Sequence, residues 1–79
     1  MDLVNAYITG KVEPGNESAV RKQALKLEHV GKVSIVYGDV DLIIEVDVKD
    51  LIELRQLNEM VRRIEGVTKT TTYLVRKES

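Results

Sequence analysis

The stretch Lys32–Val48, KVSIVYGDVDLIIEVDV, decides the fold. Two runs rich in Val and Ile flank Gly38-Asp39, and a glycine tolerating positive φ at the first central position is what a two-residue type II′ hairpin turn needs. Antiparallel pairing across that turn sets Tyr37 opposite Val40, Ile35 opposite Leu42 and Val33 opposite Ile44, so one face carries only large apolar side chains. The other face is mixed. There Lys32 meets Glu45, an attractive cross-strand pair, Ser34 meets Ile43, and Val36 meets Asp41.

On the N-terminal side, Leu3–Val12 reads as a strand, with Val4, Ala6, Ile8 and Val12 on one side and Leu3, Asn5, Tyr7, Thr9 and Lys11 on the other. Glu13-Pro14-Gly15-Asn16 ends it, and Asn16 or Gly15 caps a helix. From Glu17 to about Glu28, Val20, Ala24 and Leu27 recur at helical spacing among Arg21, Lys22, Gln23 and Lys26, which describes an amphipathic surface helix that exits at Gly31. On the C-terminal side, Asp50 and Glu53 resemble a capping box opening a second helix. Its apolar stripe is Leu51, Leu54, Leu57, Val61 and Ile64, and Gly66 stops it. Val67–Arg76, dense in Thr, Tyr and Val, is the last strand, with alternation too weak to assign its buried face.

The order is therefore βαββαβ. Right-handed crossovers give an α+β, ferredoxin-like domain, a four-stranded antiparallel sheet with both helices on one face. The opposite face has no cover within the chain and collects Tyr7, Val36 and Ile43 among Asn5, Thr9 and Glu45, a mixture that suits packing against a second subunit. Length agrees. A chain of 79 residues is one domain, near the size at which a single core barely offsets chain entropy.

Composition narrows the function. Without cysteine there are no disulfides, no thiolate metal site and no cysteine nucleophile, which favours a reducing compartment. No apolar run reaches membrane-spanning length, and Met1-Asp2-Leu3-Val4 has neither the basic start nor the cleavage motif of a signal peptide, so the expected location is the cytosol. With 12 basic and 13 acidic residues well mixed, the net charge of -1 lacks the footprint of phosphate-backbone binding. Sheet-face RNA recognition needs stacking aromatics, and the chain has no Phe or Trp and only three Tyr. Acid–base chemistry is equally thin. His29 is the sole histidine and reads as a surface residue at a helix end, no metal site or cofactor motif is recognisable, and no catalytic residue is assigned. Asp39 and Asp41 bracket Val40 and could hold a metal or an ammonium group, although as bare residues they are more often turn-formers; Thr70, Thr71 and Thr72 could line a polar pocket with hydroxyls, although threonine runs are also ordinary strand material.

AYITGKVEPGNE from Ala6, VGKVSIVYGDVDLIIEVDVKDLIEL from Val30 and IEGVTKTTTYLV from Ile64 together resemble the effector-binding (RAM) domain of the leucine-responsive regulator family, Lrp/AsnC. The Val-Glu-Pro-Gly helix start, the Gly-Asp-x-Asp loop, the Val-Lys-Asp helix start and the Gly-Val followed by threonines carry the resemblance. It implies a subunit that dimerises through its sheets, often assembles into a ring of four dimers, and binds free amino acids between dimers. The ligand site it implies is Gly38, Asp39, Val40 and Asp41 together with Thr70 and Thr72; the dimer interface expected from the uncovered sheet face is Tyr7, Val36 and Ile43. Val40 stands where family members commonly carry an aromatic residue, so ligand preference does not transfer. Regulators of this family carry an N-terminal helix-turn-helix, whereas this chain begins almost at the first sensor strand; the expectation is a stand-alone amino-acid-binding regulatory module that acts with full-length relatives. Two other classes fit the architecture: a small dimeric α+β-barrel enzyme, and a purely structural oligomerisation module.

Overall fold

A computed structural model gives the elements β1 (Val4–Val12), α1 (Glu17–Leu25), β2 (Val30–Ile35), β3 (Leu42–Val48), α2 (Leu51–Arg62) and β4 (Val67–Leu74). It describes residues 3–76. The strands form one antiparallel sheet in the order β2-β3-β1-β4, the ferredoxin-like arrangement. Between its covered face and the helices lie Ala6, Ile8 and Val12 of β1, Leu42, Ile44, Val46 and Val48 of β3, Val33 of β2, Val20 and Ala24 of α1, and Leu54, Leu57 and Val61 of α2. Each Ile or Leu so buried contributes roughly 1.5–3 kcal/mol. The α2 stripe is narrower than its spacing suggests: Leu51 in the first turn stays 43% exposed, and Leu54, Leu57 and Val61 are the buried positions.

The hairpin register is the expected one, with Lys32 opposite Glu45, Val33 opposite Ile44, Ser34 opposite Ile43 and Ile35 opposite Leu42. Its turn differs. β2 stops at Ile35 and β3 resumes at Leu42, so Val36–Asp41 form a wide loop, and Gly38 has φ 157°. A type II′ turn needs about +60° at its first central residue. Asp41 explains the widening. Its N–H donates to the Gly10 carbonyl (2.9 Å), its Oδ2 accepts from the Val12 N–H (2.8 Å), and its carbonyl accepts from the Val36 N–H (2.9 Å). The residue is thus tied to β1 as firmly as to its hairpin partner Val36, and Tyr37–Val40 close the loop between the two.

The helix ends show how local chemistry sets the frame. Asp50 caps α2, its Oδ1 accepting from the Glu53 N–H at 2.9 Å, while Glu53 Oε1 accepts from the Lys49 N–H at 2.8 Å, one residue earlier than in the usual reciprocal box. Gly66 follows α2 at φ 101°, and its carbonyl accepts from the Glu13 N–H (2.8 Å), which joins the turn before α1 to the turn after α2. The left-handed backbone is what calls for glycine here, and a Cβ would also crowd Asn16 and Val20. Asn16 itself makes no side-chain cap bond; Glu17 Oε1 instead accepts from the Gly15 N–H at 3.0 Å. α1 ends at Leu25, short of the expected Glu28, and the left-handed residue before β2 is His29 (φ 73°), not Gly31. Histidine is among the residues that tolerate this region, and here the His29 carbonyl accepts from the Asp47 N–H at 3.0 Å. Gly31 lies inside β2, where the pairing with β3 shifts between Val30 and Lys32.

Candidate functional site

Alternation along β1 sends Tyr7, Thr9 and Lys11 to the face that no helix covers. β4 is the edge strand beside it, and its register sets Tyr73 opposite Tyr7, Thr71 opposite Thr9 and Lys69 opposite Lys11. Directly paired residues share a face, so these six side chains form three successive rungs on the open side. The Val36–Asp41 loop rises at the lysine end, because Asp41 is bonded to Gly10 and Val12 there. Together they enclose a cleft of about 260 Å³ lined by Thr9, Lys11, Asp39, Val40, Lys69, Thr71 and Tyr73.

The chemistry of this cleft is zwitterionic. Lys11 and Lys69 face each other across the strand pair, Asp39 brings the opposite charge from the loop, and the threonines add hydroxyls. Thr9 Oγ1 already donates across the rung to the Thr71 carbonyl at 3.5 Å, and Thr68 Oγ1 donates to the Lys11 carbonyl at 3.2 Å. Neither lysine, nor Asp39, takes part in an ion pair among the described residues, whose pairs involve His29, Lys49 and Arg62 with Glu28, Glu53 and Glu59. The site has cationic and anionic walls, each open to a ligand.

Of the residues singled out from sequence, Asp39 and Val40 line the cleft, Gly38 lies in the same loop, and Asp41 fastens that loop to β1 with one carboxylate oxygen. Thr70 and Thr72 are not gathered with them. They pair with Gly10 and Ile8, whose register places them on the helix side of β4, while Thr71 between them faces the cleft. The sequence carried a trace of this, since Lys69, Thr71 and Tyr73 recur at period two, but which parity faces outward depends on how β4 pairs with β1. Tyr7 and Ile43 lie on the open face as expected, Ile43 opposite both Thr9 and Ser34. Val36 comes two residues after Ser34 and is partly covered at the loop's base. Tyr73, 53% exposed beside Tyr7, extends this patch and was not anticipated.

Two other clefts lie on the helix side, one by Gln23, Met60 and Arg63, the other by His29, Glu53 and Met60. His29 Nε2 stands 3.7 Å from Glu53 Oε2. Among the described residues no group of three or more His, Cys, Asp or Glu is placed to hold a metal ion, and no helix is long and apolar enough to cross a membrane.

Comparison with known proteins gives the chain its family. The HTH-type transcriptional regulator FL11 of Pyrococcus furiosus is 35% identical over 72 residues, which are 91% of this chain and 48% of the regulator. Homocitrate synthase of Sulfurisphaera tokodaii is 34% identical over 76 residues, 95% of this chain but 16% of that protein. The chain thus spans about half of one relative and a small part of the other. Among solved structures, FFRP-DM1 superposes with a TM-score of 0.83 at 30% identity, covering 92% of this chain and 99% of its own. The transcriptional regulator NMB0573 of Neisseria meningitidis, solved as a complex with L-Met, shares the fold at a TM-score of 0.79 and 15% identity, over 95% of this chain and 51% of its own. The Lrp/AsnC ligand-binding domain matches residues 5–79. This chain belongs to the Lrp/AsnC ligand-binding domain family.

Proposed function

We propose that this domain is an amino-acid sensor that couples ligand occupancy to subunit association. The observation that carries the reading is the cleft itself: Asp39 stands on one wall, Lys11 and Lys69 on another, and threonine hydroxyls lie between. A free amino acid presents an ammonium and a carboxylate at once, and Asp39 and the lysines are their charge-assisted partners. Two unlike relatives support a portable regulatory module over an enzyme. The same domain forms 48% of a helix-turn-helix regulator and 16% of a homocitrate synthase, too little of the latter to transfer a reaction. That a regulator of the same fold was solved with L-Met supports the ligand class.

Association is the second half of the proposal. The open face sets Tyr7, Ile43 and Tyr73 among Thr9, Ser34 and Glu45, and we assign it to a second copy of this domain, or to the matching sheet of a full-length relative. The cleft opens on the same face, so a covering subunit desolvates it and strengthens every charge contact inside. Ligand that binds the assembled form in preference stabilises it by mass action, which is how a domain with no assigned catalytic group regulates.

Calorimetry with the set of amino acids tests the first half. Binding is expected at micromolar to millimolar concentration, with Asp39→Asn weakening it roughly ten- to a hundredfold, the value of a charge-assisted hydrogen bond. If no amino acid binds at millimolar concentration, the sensor reading falls and the purely structural module takes its place.

A further inference from the structure

We propose that the effector of this cleft is an acidic amino acid, carrying two carboxylates and one ammonium. The inference rests on reading the cleft as an amino-acid site and goes on to name the ligand's class from the charges that line it. Lys11 and Lys69 are directly opposed across β1 and β4. Like charges in that position repel and weaken the strand pair. Neither is neutralised by an ion pair among the described residues, and Asp39 is the single carboxylate in the lining. Two cations therefore stand against one anion.

Candidate ligands divide cleanly on this count. A neutral amino acid supplies one carboxylate and one ammonium, so it pairs Asp39 and one lysine and leaves the other cation uncompensated. A basic amino acid brings a second ammonium toward a wall that already repels it. An acidic amino acid matches the inventory: its ammonium goes to Asp39, and its two carboxylates share Lys11 and Lys69, relieving their repulsion. The mismatch matters more once a second subunit covers the open face, because an unpaired charge is costly in proportion to its desolvation. Lysine on both strands, where threonine occupies the next rung, is thus read as a selectivity device and not as a solvated face. The Thr71 hydroxyl in the same lining can donate to one of these carboxylates.

The test is a calorimetric series on the full chain with L-glutamate, L-aspartate, L-glutamine, L-leucine, L-lysine and glutarate. One of the two acidic amino acids is expected to bind at least about tenfold tighter than glutamine or leucine, with affinity falling as salt is raised. Lys11→Met and Lys69→Met should each lower that affinity about tenfold or more and narrow the gap to glutamine. Asp39→Asn should weaken glutamate but not glutarate, which has no ammonium to lose and is freed from the repulsion of the Asp39 carboxylate. The ligand series on the unaltered chain decides the question even if a variant folds poorly. Glutamine, leucine or lysine binding as tightly as glutamate overturns the acidic assignment and leaves the amino-acid sensor standing. Absence of binding by every amino acid at millimolar concentration overturns both.

Discussion

The two faces of one strand teach different things. On β1, Ala6 and Ile8 are 0% exposed against the helices, while their neighbours lie on the open side, Tyr7 between Glu45 and Tyr73 and Thr9 between Ile43 and Thr71. β3 repeats the contrast, Ile44 fully buried and Ile43 only partly covered. On β1 and β3 the covered face is uniformly apolar because it has one task, burial within the chain. The open face mixes tyrosine, isoleucine, threonine, lysine and glutamate, a composition suited to association and recognition. Stability and the function proposed above thus fall to residues that alternate along the same backbone.

The sharpest break in this comparison would come from adjacent isoleucines. Ile44→Ala is expected to cost about 2–5 kcal/mol in urea unfolding, whatever the protein concentration, since it opens a cavity in the core. Ile43→Ala should cost little in the monomer and show its effect only where subunits associate. Equal, concentration-independent losses for the two would erase the distinction between faces.

Within the loop the same contrast separates two aspartates. Asp41→Ala removes the acceptor of the Val12 N–H and should destabilise the fold by about 1.5–3 kcal/mol, as for hydrogen bonds to charged groups. Asp39→Ala, on an exposed residue with no ion pair among the described residues, should leave the melting temperature nearly unchanged and act on ligand binding alone. Thermal melts of both variants check this.

On the open face, Ile43→Lys should weaken dimerisation by tenfold or more, about 1.4 kcal/mol, because it places an unpaired charge in the proposed interface. Native mass spectrometry at micromolar concentration reads the outcome directly. A wild-type chain that is already monomeric there would remove the association half of the proposal. The smallest effect belongs to the covered side's frame: Asp50→Ala should cost about 1 kcal/mol through loss of the α2 cap, with no change in assembly.

The strands and helices were legible in the amino-acid order because each is a local periodicity. Period two in β1 and β3, the stripe Leu54, Leu57, Val61, and the stops at Gly15 and Gly66 need only neighbours along the chain to be read. The hairpin register came from its own hydrophobic pattern, since a one-residue slip would have turned Ile44 and Leu42 to the open side. The turn was not legible, for the complementary reason. Its shape is set by Asp41 bonding to Gly10 and Val12, residues distant in sequence, and no local preference of Gly38 contains that information.

What the sequence by itself determined is therefore the order of elements, the apolar core face and the family, all properties of near neighbours and of motifs. The cleft was decided only by the tertiary structure. Pairing of β4 with β1 brought Lys69 to Lys11 and Thr71 to Thr9, and turned Thr70 and Thr72 away to the helix side. β4 lacks a strong apolar alternation, so either parity was open to it as an isolated strand; the register with β1, a contact between the two ends of the chain, chose which side chains line the cleft.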